Sequence, residues 1–323
     1  MIMLSIKKIL HPTDFSDGAA TAFEHALHLA RHYEAALHVL HVAPIFGEDP
    51  IRRAYESAAD DTSMLQERMD EADAQMRALI EVHPHRHVSL RRVLSRGAAA
   101  GPVILDYARA EAVDLIVMGT HGRRGVRHLL LGSVAEEVAH KASCHIMTVR
   151  RQEEPKAEPR PIQSIGVAID FSDFAASVLE TAKAMAASYG AMLHLVNVLQ
   201  PLPLSLSITQ KTLYDLVPDI AEQSRARLEE LYAATPGPDV PATFHVVEGQ
   251  PARAIVALAE ERLADLLLIA PRGLTGVERL MLGSVAERVV RTASCPVFIV
   301  KTDVPDDAEA QKDATTETAS FES

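Results

Sequence analysis

Apolar positions along the chain follow two alternating rhythms. Short β-rich runs at 6–10, 37–42, 88–94, 115–118 and 145–150 have the length and content of strands. Between them lie helical patterns at 16–33 and 103–111 and one opening at Ser133, while Leu65, Met69, Ala72, Met76 and Leu79 step by four and three along a longer helix. The 37–42 run is apolar enough to be buried on both faces, as a central strand of a parallel sheet must be. Strands alternating with helices predict an α/β fold, a doubly wound five-stranded parallel sheet with helices on both faces. Ligands of such sheets bind beyond the carboxyl ends of the strands, where the strand order switches.

The pattern then repeats. "ILHPTDFSDGAA" from Ile9 matches "VAIDFSDFAA" from Val167, placing Asp14 over Asp170 at an offset of 156 residues. "LHVLHV" ending at Val42 matches "LHLVNV" ending at Val198 at the same offset, and "LLLGSVAEEVAHKASCHIMTV" from Leu129 matches "LMLGSVAERVVRTASCPVFIV" from Leu280 at an offset of 151. Copies this long each own a core, so the chain reads as one domain duplicated rather than a solenoid. The expected layout is a first domain at 1–150, a linker at 151–161 marked by Pro155, Pro159 and Pro161 among charges, a second domain at 162–302, and an acidic disordered tail at 303–323.

Composition narrows the function classes. The 323 residues carry a net charge of −12, no Trp and 4% aromatics, which argues against a nucleic-acid binder with its basic track and stacking platforms. The tail holds seven acids and one base, half of that net charge, so the folded repeats are closer to neutral. Two cysteines, Cys144 and Cys295, cannot form a disulfide framework and read as small buried hydrophobes. The N-terminus lacks a signal-peptide apolar run and no segment reaches membrane-span length, so a cytoplasmic protein without membrane contact is expected.

The candidate chemistry follows the fourth strand. Gly119, two residues, Gly122, nine residues, then Gly132-Ser133 opening a helix is a layout suited to phosphate. Glycines allow close backbone approach, and the helix start offers free amides to an anion. It is neither a Walker A loop nor the dinucleotide Gly-x-Gly-x-x-Gly. The alternative is structural: Gly119 and Gly122 turn the chain, Ser133 caps a helix, and Asp14 caps the helix that starts near Ser16. Asp14 after the first strand, Val42 at the end of the second and Gly119 after the fourth nevertheless converge on one crevice.

Asp-Phe-Ser after the first strand, the Gly-x2-Gly-x9-Gly-Ser element and the Val-Ala-Glu helix resemble the universal stress protein family, over residues 5–150 and again over 162–301. The resemblance implies a sheet order of 3-2-1-4-5 and, in one branch of the family, ATP binding, with any Mg2+ carried by the phosphates. Asp14 and the backbone of Val42 would contact adenine, Met118 and Gly119 would border the nucleotide, and Gly122, Gly132, Ser133 and Val134 would cradle phosphates. It also implies pairing of the two domains through their last strands, at 145–150 and 296–300, and leaves a homodimer of chains open.

The second repeat keeps Asp170, Val198, Gly273, Gly283, Ser284 and Val285 but has Ala270 at the first glycine. The first repeat carries Arg123, Arg124 and Arg127 in the glycine loop where the second has Leu274, Thr275 and Glu278, while Arg272 and Arg279 remain. Either the first site holds more phosphate charge than the second, or these arginines are merely solvated. Thirteen of fifteen histidines lie in the first repeat. His25, His28 and His32 share a helical face opposite Phe23, Leu27 and Ala30 and are expected to face water, and the alternating His83, His85 and His87 lack partners that complete a metal set. With no nucleophile elbow and no loop lysine, a nucleotide-dependent stress or signalling module without efficient catalysis is expected, against a nucleotide-independent interaction scaffold or a weak ATPase.

Overall fold

The computed structural model describes residues 4–44, 60–83, 87–120, 122, 131–151, 161–200, 217, 219–273 and 282–301. In the first half β1 (Lys8–Pro12), α1 (Asp17–His32), β2 (Ala36–Pro44), α2 (Asp60–Glu81), β3 (Leu90–Gly97), α3 (Ala100–Ala110), β4 (Leu115–Gly119), α4 (Ser133–Lys141) and β5 (His145–Val149) follow one another. The second half repeats the order: β6 (Ser164–Ala168), α5 (Ala175–Tyr189), β7 (Met192–Leu199), α6 (Ile220–Ala234), β8 (Ala242–Glu248), α7 (Pro251–Glu261), β9 (Leu266–Ile269), α8 (Ser284–Thr292) and β10 (Val297–Ile299). Most of the expected linker, 152–160, and the whole expected tail lie outside the described residues.

All ten strands join one sheet in the order β3-β2-β1-β4-β5-β10-β9-β6-β7-β8, which reads alike from either end. Every neighbouring pair is parallel except β5 and β10, which run antiparallel with Met147 opposite Phe298. The two halves are thus one hydrogen-bonded sheet. Alternating strand residues feed two cores: Ile9, Val117 and Phe298 pack under α1, α2, α5 and α6, while Leu10, Ile116 and Ile299 pack under α3, α4, α7 and α8. Both cores run through both halves. On α2 the periodic stripe is buried at Ala72 and Met76 and half-buried at Met69 and Leu79, while Ile80, outside the expected stripe, is buried in its last turn; the Leu65 side chain lies outside the described residues.

The junction has polar ties too. Lys301 donates from Nζ to the carbonyls of Ala139 (2.8 Å) and His140 (3.3 Å), closing the C-terminal end of α4 where a cation is favoured. Burial pushes this ammonium down to about 8. The expectation that His25, His28 and His32 face water is overturned. All three are half-buried, and at His28 and His32 this face meets the end of α5 in the other half. The Tyr189 ring stacks on His32 (3.6 Å, 9°) and on His28 (5.9 Å, 10°), and His32 Nε2 meets Ser188 Oγ at 3.0 Å. A face polar in sequence is here an interface. Tyr189→Ala is expected to cost about 1–2 kcal/mol in urea denaturation, the value of the lost stacking and a small void; an unchanged midpoint would mean these rings do not hold the halves together.

The cysteines are half-buried against the second core, and burial pushes Cys144 up to about 11 and Cys295 up to about 12, so both thiols are protonated packing groups at neutral pH. No described helix is long and apolar enough to cross a membrane.

Candidate functional site

The site begins where β1 gives way to α1. Ladder pairing ends at Pro12 opposite Leu40, and the Thr13 amide still donates to the Leu40 carbonyl at 2.8 Å. The next three residues form a tight turn. Asp14 Oδ1 accepts from the Ser16 amide (3.1 Å) and hydroxyl (2.6 Å), and Thr13 Oγ1 accepts from the Phe15 amide at 3.1 Å. Ser16, rather than Asp14, is the N-cap of α1, accepting from the Ala19 amide. Capping is therefore not the role of Asp14, and the serine two residues on performs it. Phe15 takes a φ of 62°, a left-handed conformation that costs a non-glycine residue about 1–2 kcal/mol. The second half repeats this turn: Phe171 has a φ of 58°, and Asp170 Oδ1 accepts from the Ser172 amide at 3.0 Å.

The glycine element meets the aspartate turn. A Cβ on Gly122 would fall 2.4 Å from Asp14 Oδ2, and one on Gly273 would fall 2.5 Å from Asp170 Oδ2. A side chain at either position would have to displace the carboxylate. Gly119 has a different reason to be glycine: a Cβ there would come within 2.9 Å of the Gly18 backbone in α1. Its constraint is packing, and its φ is not in the left-handed range. In the second half the counterpart of Gly18 is Phe174, which precedes α5 as its N-cap, and Ala270 fits at 8% exposure. The alanine therefore removes nothing from the Asp170–Gly273 contact.

The helix start completes the arrangement. Gly132 is the N-cap of α4 and donates its amide to the Thr120 carbonyl at 2.8 Å; Gly283 does the same for α8, donating to the Pro271 carbonyl at 2.7 Å. No side chain caps either helix. Ser133 and Ser284 are the first helical residues, exposed, with Val134 and Val285 half-buried behind them. The alternative in which Ser133 is the cap is thus set aside, since Gly132 holds that position. First-turn amides with no side-chain cap among the described residues, at the positive end of a helix dipole, favour an anion.

Val42 and Val198 sit half-buried in β2 and β7, in register with Ser95 and Val247. Both strands continue past them, β2 to Pro44 and β7 to Leu199, so Val42 is near the carboxyl end rather than at it. The Met118 side chain is 5% exposed in the core, which leaves its backbone as the part that can border a ligand. Arg123, Arg124 and Arg127, and the counterparts at 274–281, lie outside the described residues. So does His85; its neighbour His83 bonds the Leu79 carbonyl at 2.8 Å and lies edge-on to Phe23. Among the described residues no cluster of histidine, cysteine or carboxylate side chains has the makings of a metal site.

Two residues outside the motif join the turn. His41 Nδ1 lies 2.8 Å from the Thr13 carbonyl oxygen, and Asn197 Nδ2 donates to the Ile169 carbonyl at the same distance. Their signal was present in sequence as the polar residue immediately before the final valine of "LHVLHV" and "LHLVNV".

The model of the universal stress protein family matches the chain twice, over residues 5–150 and 161–301. A universal stress protein of Methanocaldococcus jannaschii is 34% identical over 155 residues, 47% of this chain and 85% of that relative. One from Mycobacterium tuberculosis is 32% identical over 209 residues, 63% of this chain and 66% of its own. The crystal structure of a universal stress protein from Archaeoglobus fulgidus superposes with a TM-score of 0.66 at 21% identity, covering 94% of this chain and 99% of that one, a likeness of fold. With two matches that span nearly all of both halves, the chain belongs to the universal stress protein family and carries two of its domains in tandem.

Proposed function

We propose that the chain binds ATP and acts in stress response or signalling through nucleotide-dependent conformation or assembly, as a binding module rather than an efficient catalyst. The observation that carries this reading is the approach of Gly122 to the Asp14 carboxylate beside a helix start that no side chain caps, repeated at Gly273, Asp170 and Gly283. A carboxylate accepts hydrogen bonds, so it pairs with the exocyclic amine of adenine and rejects the carbonyl that guanine carries there. The amides at Gly132, Ser133 and Val134 serve phosphate oxygens, at about 1.5–3 kcal/mol for each charged hydrogen bond. A few such bonds reach the roughly 8 kcal/mol of a micromolar ligand.

In this reading Val42 borders the base through its backbone, Met118 and Gly119 flank the nucleotide, and Arg123 adds charge near the phosphates, which carry any Mg2+. The second site uses Asp170, Val198, Gly273, Gly283, Ser284 and Val285, and takes fewer phosphates because its loop has Leu274, Thr275 and Glu278 where the first has arginines. Domains at 1–150 and 162–302 each hold one site. Calorimetric titration of the intact chain is expected to give a micromolar dissociation constant for ATP and weaker binding of GTP. A folded chain that gives no heat with ATP would instead favour a nucleotide-independent scaffold.

A further inference from the structure

Different side chains perform one task at one register of the two halves. His41 in β2 and Asn197 in β7 are 156 residues apart, as are the carbonyls they engage, Thr13 and Ile169. Each carbonyl lies one residue past the last parallel ladder position, Pro12 or Ala168, and immediately before the candidate aspartate. A carbonyl only accepts, so Nδ1 of His41 carries the proton, and the Asn197 amide stands where that N–H stands. Both turns also keep a backbone bond into the neighbouring strand, from the Thr13 amide to the Leu40 carbonyl and from the Ile169 amide to the Val196 carbonyl, but several of the described side-chain supports differ. Thr13 offers a hydroxyl to the Phe15 amide, which Ile169 cannot. Phe15 stacks on the His41 ring at 4.6 Å, whereas Phe171 lies under the Arg227 guanidinium at 4.3 Å. Asn197 is itself held by the Ser224 hydroxyl from α6 at 2.8 Å. Beside that backbone bond, both halves retain the side-chain donor on the carbonyl, the aspartate turn and the left-handed phenylalanine. A strained φ persists only where its surroundings over-determine it.

We infer that His41 and Asn197 are positioning residues: by holding the carbonyl ahead of the aspartate they fix the strained turn and aim Asp14 and Asp170 at the base of a bound nucleotide. The inference rests on the adenine-nucleotide reading above. It also identifies what sets base selectivity, since a carboxylate on a loosened turn still meets a purine but no longer tells amine from carbonyl.

Two substitutions separate the ring from the donor. His41→Phe keeps a ring for Phe15 and deletes the N–H; His41→Asn restores a donor without the ring, copying the second half. Both are read by calorimetry with ATP and GTP on the full chain, in a Gly273→Val background so that the first half reports. H41F is expected to weaken ATP roughly tenfold and to draw the ATP-to-GTP affinity ratio toward one, while H41N stays within about threefold of the parent in both. Unchanged affinity and ratio in H41F, or an H41N as impaired as H41F, overturns the inference. Should H41F not melt cooperatively, His41→Leu replaces it, and a chain that folds with neither but folds with Asn has a donor needed for folding alone, which also overturns it. A parent that binds no ATP removes the nucleotide reading itself, and does so before any change at His41.

Discussion

Replacing Gly122 with valine is expected to lower the ATP affinity of the first half by at least about a hundredfold, close to 3 kcal/mol. The new Cβ would lie 2.4 Å from Asp14 Oδ2, inside any contact that carbon and oxygen tolerate, and the branched methyls extend further into the same space. Either the loop withdraws from the aspartate or the aspartate turns away. Both outcomes separate the group that reads the base from the helix start that holds the phosphates, so the substitution forfeits two or more charged hydrogen bonds at once. Gly122 sits in a loop away from both cores, so the melting temperature should change little, and titration of a folded variant decides the matter. Gly273→Val is expected to do the same to the second half, where the separation is 2.5 Å. Parent-like ATP affinity in both single variants and in the double variant would mean the nucleotide, if bound, sits elsewhere.

The second large effect is on acid stability. His11 is fully buried in β1, its Nδ1 2.9 Å from the Val117 carbonyl and its Nε2 without a hydrogen-bond partner among the described residues. Burial pushes its pKa from 6.5 down to about 4, with the Val117 bond and the Asp14 charge pulling only part of the way back. His25 is pushed down to about 4 as well, chiefly by burial and then by the neighbouring His28. The folded protein therefore refuses protons that the unfolded chain accepts below pH 6.5. Stability is fully present above that value and is lost as pH falls toward 4, by about 3 kcal/mol for His11 alone at 1.36 kcal/mol per pKa unit. Carboxylates contribute their own acid loss, so the comparison that isolates the histidine is His11→Val, which installs the residue of the second repeat, Val167. Urea denaturation at pH 7 and pH 4.5 should show H11V losing markedly less stability between the two than the parent does. Parallel losses would mean that His11 is solvated or charged in the fold.

Periodicity and the internal repeat carried most of the fold. The strands of the first half lie within a few residues of the apolar runs, and the offsets of 156 and 151 set Asp170, Gly273 and Gly283 over Asp14, Gly122 and Gly132. The sequence also brought Asp14, Val42 and Gly119 toward one crevice, though no pattern in one dimension reports how closely Gly122 approaches the Asp14 carboxylate. What periodicity could not show was which way a polar face turns. His25, His28 and His32 look solvated when α1 is read alone, and become an interface only because β5 and β10 join the halves and bring Tyr189 alongside. The reason for Gly119 was likewise hidden, because it depends on Gly18, a hundred residues earlier and ordinary in its own context. His41 escaped notice for the opposite reason: one histidine among thirteen in that half, it stood out only when set against Asn197.

The most direct test of adenine-nucleotide binding is to purify the full chain without added nucleotide, denature it, and identify by mass spectrometry whatever small molecule is released, with the Gly122→Val, Gly273→Val double variant carried through the same preparation. ATP or a hydrolysis product of it, released in near-stoichiometric amount from the parent and absent from the double variant, is the result predicted. A parent that releases no nucleotide and gives no heat with ATP, or a double variant that releases as much as the parent, would contradict it.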